Sequence, residues 1–245
     1  MSDDILTRRS GPVYDVILNR PSDGNAATDA MAADLTRIIG EAAPTSHFII
    51  LRGAGSDFCV GRSSMGRPPP TLPADALDRR RNSEVIFDCY GAFRQSPVPI
   101  VGVVQGRALG FGCALAALCD ITIASDAATF QVPEMAHNIL PTMVMSSMID
   151  RVPRKALTYL VYSTAAISAM RALSVGLVSE VVPAADLDGH VEALAAALLK
   201  APRPAVTGAK EYARSAFTMD IHGAVDFARN LHATINSSAQ MRSPR

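Results

Sequence analysis

The sequence predicts a mixed α/β protein, and three observations carry that reading. The first 55 residues read strand, helix, strand. Short apolar runs recur between turns bearing glycine and proline, and from Thr142 onward the apolar spacing is mainly helical. With 49% hydrophobic and 19% charged residues, the chain has the balance of one that buries a sizeable core rather than one that stays disordered.

The elements follow in order. Residues 13–19 (VYDVILN) form a strand, stopped by Arg20-Pro21 and the turn Ser22-Asp23-Gly24. Thr28 or Asp29 caps a helix that runs to about Ala43, since Met31, Leu35, Ile38 and Ile39 recur at helical spacing. Residues 47–52 (HFIILR) are a short buried strand with its exit at 53–56 (GAGS). The proline-dense stretch 67–73 reads as an exposed connection or flap, and 75–93 as a helix. Residues 99–104 (PIVGVV) are a second buried strand, followed by a glycine-studded turn, 106–112, and a small apolar helix, 113–118. Residues 120–124 and 129–132 are further strands, and 177–182 is a short one after a helix end at Gly176. Helices at 186–199, 204–217 and 220–235 complete the chain; their apolar faces exceed what one small core can cover, which points to a subunit interface.

Composition excludes several function classes. Lys and Arg number 23 against 23 Asp and Glu, so net charge is zero, and no basic stripe marks a nucleic-acid surface. The longest uncharged stretches, 135–149 and 156–170, are shorter than the roughly 18 apolar residues of a membrane span. The acidic start, Met1-Ser2-Asp3-Asp4, is unlike a signal peptide. Cys59, Cys89, Cys113 and Cys119 lack metal-ligand spacing, which predicts reduced, packed thiols, no metal site and a cytoplasmic chain.

Two glycine loops are candidate sites. Residues 52–58 (RGAGSDF) begin like a dinucleotide fingerprint, but the third glycine and the following helix are missing. The loop from Gly106 to Gly112 has a strand before it and a helix after it, without the Lys-Ser/Thr of a phosphate loop. Its backbone N–H groups could receive an anion or a transient oxyanion, or its glycines could simply permit tight helix–strand packing; both readings stand on this loop alone.

Taken in register, several segments resemble a known family. Phe58-Cys59-Val60-Gly61-Arg62-Ser63 resembles the F-C-x-G-x-D segment of the crotonase, or enoyl-CoA hydratase/isomerase, superfamily. Residues 105–114 (QGRALGFGCA) followed by Cys119-Asp120 resemble its N-G-x-A-x-G-G-G-x-E…C-D segment. Phe130-Gln131-Val132-Pro133-Glu134 with Pro141 resembles F-x-x-P-E…P. Asn19-Arg20-Pro21 with Asn25-Ala26, and Ala172-Gly176-Leu177-Val178 with 181–183, match in order and spacing, so the resemblance spans about residues 10 to 235.

The resemblance implies a crotonase-like spiral of repeated ββα units over residues 1–185, carrying the CoA-binding and active site. A helical region at 186–245 would serve packing and oligomerisation, as a homotrimer or a hexamer built as a dimer of trimers. It implies an acyl-CoA substrate, with coenzyme A present only as part of the thioester and no prosthetic group. The thioester oxygen would sit between the N–H groups of Arg62 and Phe111, with Val60, Arg62 and Gly110 along the bound CoA. Glu134 would be the base.

The family's hydratases carry a second glutamate, and here that position is Ala114. Hydration must activate water and deliver a proton to the α-carbon, which alanine cannot help, whereas moving a 3,4 double bond to 2,3 needs one base. The resemblance therefore implies an isomerase with a lone glutamate; hydration despite the missing glutamate, and a catalytically idle acyl-CoA-binding oligomer, stay open as alternatives. His137 is a candidate second acid/base group. Ser63 and Ser64 have no visible base to make them nucleophiles. Met135, Met143, Met145 and Met148 are expected in the core or along an acyl pocket. Phe111 stands where the family has a glycine, and Ser22-Asp23-Gly24 lacks a basic residue for CoA phosphates.

Overall fold

The computed structural model describes residues 3–64 and 75–242; the proline-dense stretch at 67–73, read above as a connection or flap, lies outside them. Two strands open the chain, β1 (Ile5–Ser10) and β2 (Val13–Leu18), and helix α1 (Asp29–Ala42) follows. The Thr28 side chain caps α1 by accepting from Met31 N–H, as a residue before the first periodic apolar position should. Next come β3 (Phe48–Gly53), α2 (Ala76–Gln95), β4 (Ile100–Val104), β5 (Arg107–Leu109), α3 (Phe111–Leu118), β6 (Ile121–Ser125) and β7 (Thr129–Gln131).

The second half holds α4 (Thr142–Met148), α5 (Arg154–Ser163), β8 (Ile167–Ser168), α6 (Ala169–Ser174) and β9 (Glu180–Val182). Helices α7 (Leu187–Lys200), α8 (Arg203–Ala216), α9 (Ile221–Asn236) and α10 (Ala239–Arg242) finish it.

Six strands make one sheet in the order β1-β2-β3-β4-β6-β9, and only the β1–β2 pair is antiparallel. Strands buried on both faces read as continuous apolar runs, which is why β4 (IVGVV) was legible from sequence. The larger core packs α1, α2 and α3 against one face; the other face is covered by Leu187 and Val191 of α7 over Phe48, Ile50, Val101 and Val103. Strands β5, β7 and β8 form a second, three-stranded sheet. No helix among the described residues is long and apolar enough to cross a membrane.

The structure corrects the element list in three places. Strand β1 was not expected: its sequence, ILTRRS, buries only Ile5, so an edge strand held by its pairing with β2 left no alternating apolar signal. Strands β5 and β8 are too short to show periodicity, and β5 lies inside what reads as a glycine turn. Helix α3 begins at Phe111, two residues before the expected start, because Gly110 at φ +50° and ψ −112° turns the chain abruptly into it.

Candidate active site

The site is assembled where two loops are pressed together. Cys59 bridges Ala108 of β5 in parallel fashion: Cys59 N–H donates to the Arg107 carbonyl at 3.1 Å and Leu109 N–H to the Cys59 carbonyl at 2.9 Å. A Cβ on Gly112 would stand 2.1 Å from the Cys59 carbonyl oxygen, so only glycine lets the first turn of α3 approach the 59–62 segment this closely. On the other side, Ala27 N–H donates to the Gly61 carbonyl and Ser63 N–H to the Ala27 carbonyl, both at 2.8 Å. These bonds use the groups flanking Arg62 and leave Arg62 N–H outside the ladder. Phe111 N–H opens α3 and has no partner in the preceding turn.

A polar frame holds both loops. Asp57 accepts from Arg107 three times, at 3.0 Å from its backbone N–H, 2.9 Å from Nε and 2.8 Å from Nη2. That donor set holds the Asp57 carboxyl below its ordinary range, the side-chain bonds to Arg107 outweighing burial. Asn25, fully buried with φ +58°, donates from Nδ2 to the Ala54 and Asp57 carbonyls at 2.8 and 2.7 Å and accepts from Arg20 N–H. Gln105 Nε2 donates to the Gly53 carbonyl at 2.7 Å.

Glu134 enters from the second sheet. Strand β7 ends at Gln131, whose carbonyl accepts from Gly110 N–H at 2.9 Å, and a 3-10 turn over Glu134–His137 starts three residues later. This places the carboxylate in a cavity of about 100 Å³ that is also lined by Arg62, Ser64, Tyr90, Phe111, Pro141 and Met143, among others. Glu134 is 5% exposed, and its Oε2 is buried without a hydrogen-bond partner among the described residues. Burial pushes the carboxyl above its ordinary value of 4.5, partly offset by a bond to its own backbone and by His137.

The cavity thus brings together Glu134, Arg62 and Phe111. Val60 lies two residues before Arg62, its N–H donating to the Gly24 carbonyl at 3.0 Å, and Gly110 forms the turn ahead of Phe111. His137 is exposed at the far end of the 3-10 turn and does not line the cavity. Ala114 is wholly buried within α3. All four cysteines are buried free thiols, and desolvation raises Cys59 and Cys89 each to about 12. Met143 lines the cavity, Met148 is in the core, and Met135 is exposed, so the methionines divide between the expected places and the surface.

Sequence reading missed Tyr90. In α2 it follows Ile86 and precedes Phe93 at core spacing, and nothing in the sequence links it to Phe111 or Glu134 further along the chain. Its ring stacks on Phe111, with centroids 5.8 Å apart and planes 22° apart, and it lines the same cavity as Glu134. The Asp57–Arg107 clamp was missed too; its only signal was an aspartate in one glycine loop and an arginine in the other.

Comparison with known proteins follows the same lines. The family model described as enoyl-CoA hydratase/isomerase matches residues 8–244. The Mycobacterium tuberculosis protein named "Probable enoyl-CoA hydratase echA8" is 32% identical over 230 residues, covering 93% of this chain and 87% of that protein. The crystal structure of an enoyl-CoA hydratase from Mycobacterium smegmatis superposes with a TM-score of 0.90 at 26% identity, covering 97% of this chain and 93% of that one. A Thermobifida fusca protein solved in complex with CoA superposes with a TM-score of 0.84, also at 26% identity, over 96% of this chain and 93% of that one.

Proposed function

This chain belongs to the enoyl-CoA hydratase/isomerase family, and from that premise we propose that it moves a double bond in an acyl-CoA thioester, converting 3-enoyl-CoA to 2-enoyl-CoA with Glu134 as its base. One observation carries the reading: a single buried carboxylate, with an oxygen that has no partner among the described residues, shares a small cavity with Arg62 and Phe111, whose backbone N–H groups are unspent among those residues.

In the proposed reaction the thioester oxygen accepts from Arg62 N–H and Phe111 N–H, while Val60 and Gly110 hold the backbone beside the CoA. Glu134 takes a proton from C2, and the electron pair of that C–H bond moves toward the carbonyl to give an enolate. The two N–H groups stabilise the charge as it forms, and removing one such donor typically costs about 10²–10³ in rate. Glutamic acid then returns the same proton at C4 and the double bond settles between C2 and C3, so no atom is gained or lost. Coenzyme A enters only as part of the substrate.

The raised proton affinity of Glu134 suits a base that must also give its proton back. Residues 186–245 would add packing and assembly surface to the catalytic body at 1–185, in a trimer or a dimer of trimers.

A second reading, hydration of 2-enoyl-CoA, is favoured by the names of the relatives. Ala114 argues against it, since no carboxylate from α3 reaches the reaction centre. The test offers 3-hexenoyl-CoA and 2-hexenoyl-CoA separately to the purified protein and its Glu134→Gln variant. The expected result is conversion of the 3-enoyl substrate by the wild type and a loss of at least about 100-fold in the variant. Full activity in the variant would overturn the single-base mechanism, and efficient hydration by the wild type would establish the second reading.

A further inference from the structure

Glu134 must be ionised to act, yet its Oε2 is buried with no hydrogen-bond partner among the described residues. A buried carboxylate without donors is held far less favourably than one that receives them, so a donor within the cavity would change both its basicity and its aim. The cavity offers few. The Arg62 guanidinium is drawn outward to Asp29, 2.6 Å away, and Ser64 is exposed at the rim. Tyr90 is the remaining polar side chain along the wall; it is 4% exposed, and its hydroxyl makes no hydrogen bond among the described residues. Its ring is fixed by the stack on Phe111, whose N–H is one of the two unspent donors.

We propose that the Tyr90 hydroxyl is a positioning donor for Glu134: it hydrogen-bonds the ionised carboxylate and holds it toward C2 of the acyl group. The phenol is suited to that part. Burial, with the nearby Glu134 charge opposing ionisation and Arg62 favouring it, keeps its proton affinity well above the ordinary tyrosine value, so it remains a neutral donor. It also lies on α2, a different element from both the hole and the base, so it can restrain Glu134 without sharing that residue's backbone. The inference rests on Glu134 being the base.

The two claims separate in one experiment. Butyryl-CoA in D₂O reports base action alone, as exchange of deuterium into C2 by mass spectrometry, whichever product the enzyme ultimately makes. Wild type is expected to exchange and Glu134→Gln not to. Tyr90→Phe keeps the ring and its stack, and is expected to slow exchange at saturation by about 10- to 100-fold, the range for losing a hydrogen bond to a charged group. Half-saturation should stay within about twofold, since the thioester contacts are untouched. The acid limb of the pH profile should move up, because an ionised carboxylate stripped of a donor binds its proton more tightly; Glu134 is then faced by His137 from its own turn and Cys113 from α3. The melting temperature in acid should not fall, because there the carboxyl is protonated and the proposed bond to its ionised form is absent. An unchanged rate and limb, a change in half-saturation alone, or a lower melting temperature with an unchanged limb would each overturn the proposal. Failure of the wild type to exchange would overturn the base itself, and the role of Tyr90 with it.

Discussion

Glu134 is a carboxylate placed where water does little to solvate its charge, and its raised proton affinity has two consequences of predictable sign. Activity that needs the carboxylate falls as pH drops through the folded-state value, so the acid limb of kcat/KM should lie above the ordinary 4.5. His137 opposes that shift, and His137→Ala should move the limb higher still. The stability effect runs the other way. The folded protein binds this proton more tightly than the unfolded chain, so the destabilisation is present at neutral pH and is relieved as pH falls through the folded-state value towards 4.5. Glu134→Gln should therefore melt higher than wild type at pH 7, by about 0.5–2 kcal/mol, with the gap closing in acid. Thermal denaturation of both proteins across that range checks it. At this scale the carboxylate that lines the cavity was legible, because its proline-flanked segment resembles a family motif. Tyr90 was not: its helical spacing is that of any core aromatic, and only the stack on Phe111 brings it to the site.

Among the elements, the two glycine loops matter through their contact rather than through either sequence alone. The 59–62 segment, β5 and the first turn of α3 are joined by the Cys59–Ala108 bridge, the Asp57–Arg107 clamp and the close approach at Gly112. Gly112→Ala puts a methyl 2.1 Å from the Cys59 carbonyl oxygen, and backbone cannot yield as a side-chain tip can. The expected cost is about 1–3 kcal/mol in denaturant unfolding, the usual range for overpacking. Because the displaced backbone carries Arg62 N–H and Phe111 N–H, turnover should fall by more than the stability loss alone would require. A variant that loses stability yet keeps full turnover would show that the N–H pair tolerates the shift. Buried parallel strands and amphipathic helices announce themselves by apolar period, so β2, β3, β4 and α1 were read closely. The edge strand β1 and the three-residue β5 were not, since pairing with a neighbour is what makes them strands.

For the whole molecule, the question is what the apolar surface left on one chain is for. Helix α8 is anchored inward by Lys210, whose buried ammonium meets Asp120 at 2.5 Å, while the other Asp120 oxygen accepts from Ile100 N–H at 2.8 Å. Outside that anchor, Ile149 is 75% exposed and, on α5, Tyr159 and Tyr162 are 55% and 73% exposed. The two tyrosines are three residues apart on α5 and so lie side by side on one face. Aromatic residues clustered in this way are enriched at the centres of subunit interfaces, and the resemblance implies trimers. Sedimentation equilibrium of the wild type should therefore give three or six times the 25.9 kDa chain mass. Replacing Tyr159 and Tyr162 together by Lys should lower the assembly state while leaving the circular dichroism of the chain unchanged, since neither side chain belongs to the core. If the double variant keeps the wild-type mass, α5 lies outside the interface. If the wild type sediments as a single chain, the apolar surplus has another use, and the C2-exchange activity of that monomer becomes the measure of whether one chain is a complete active site.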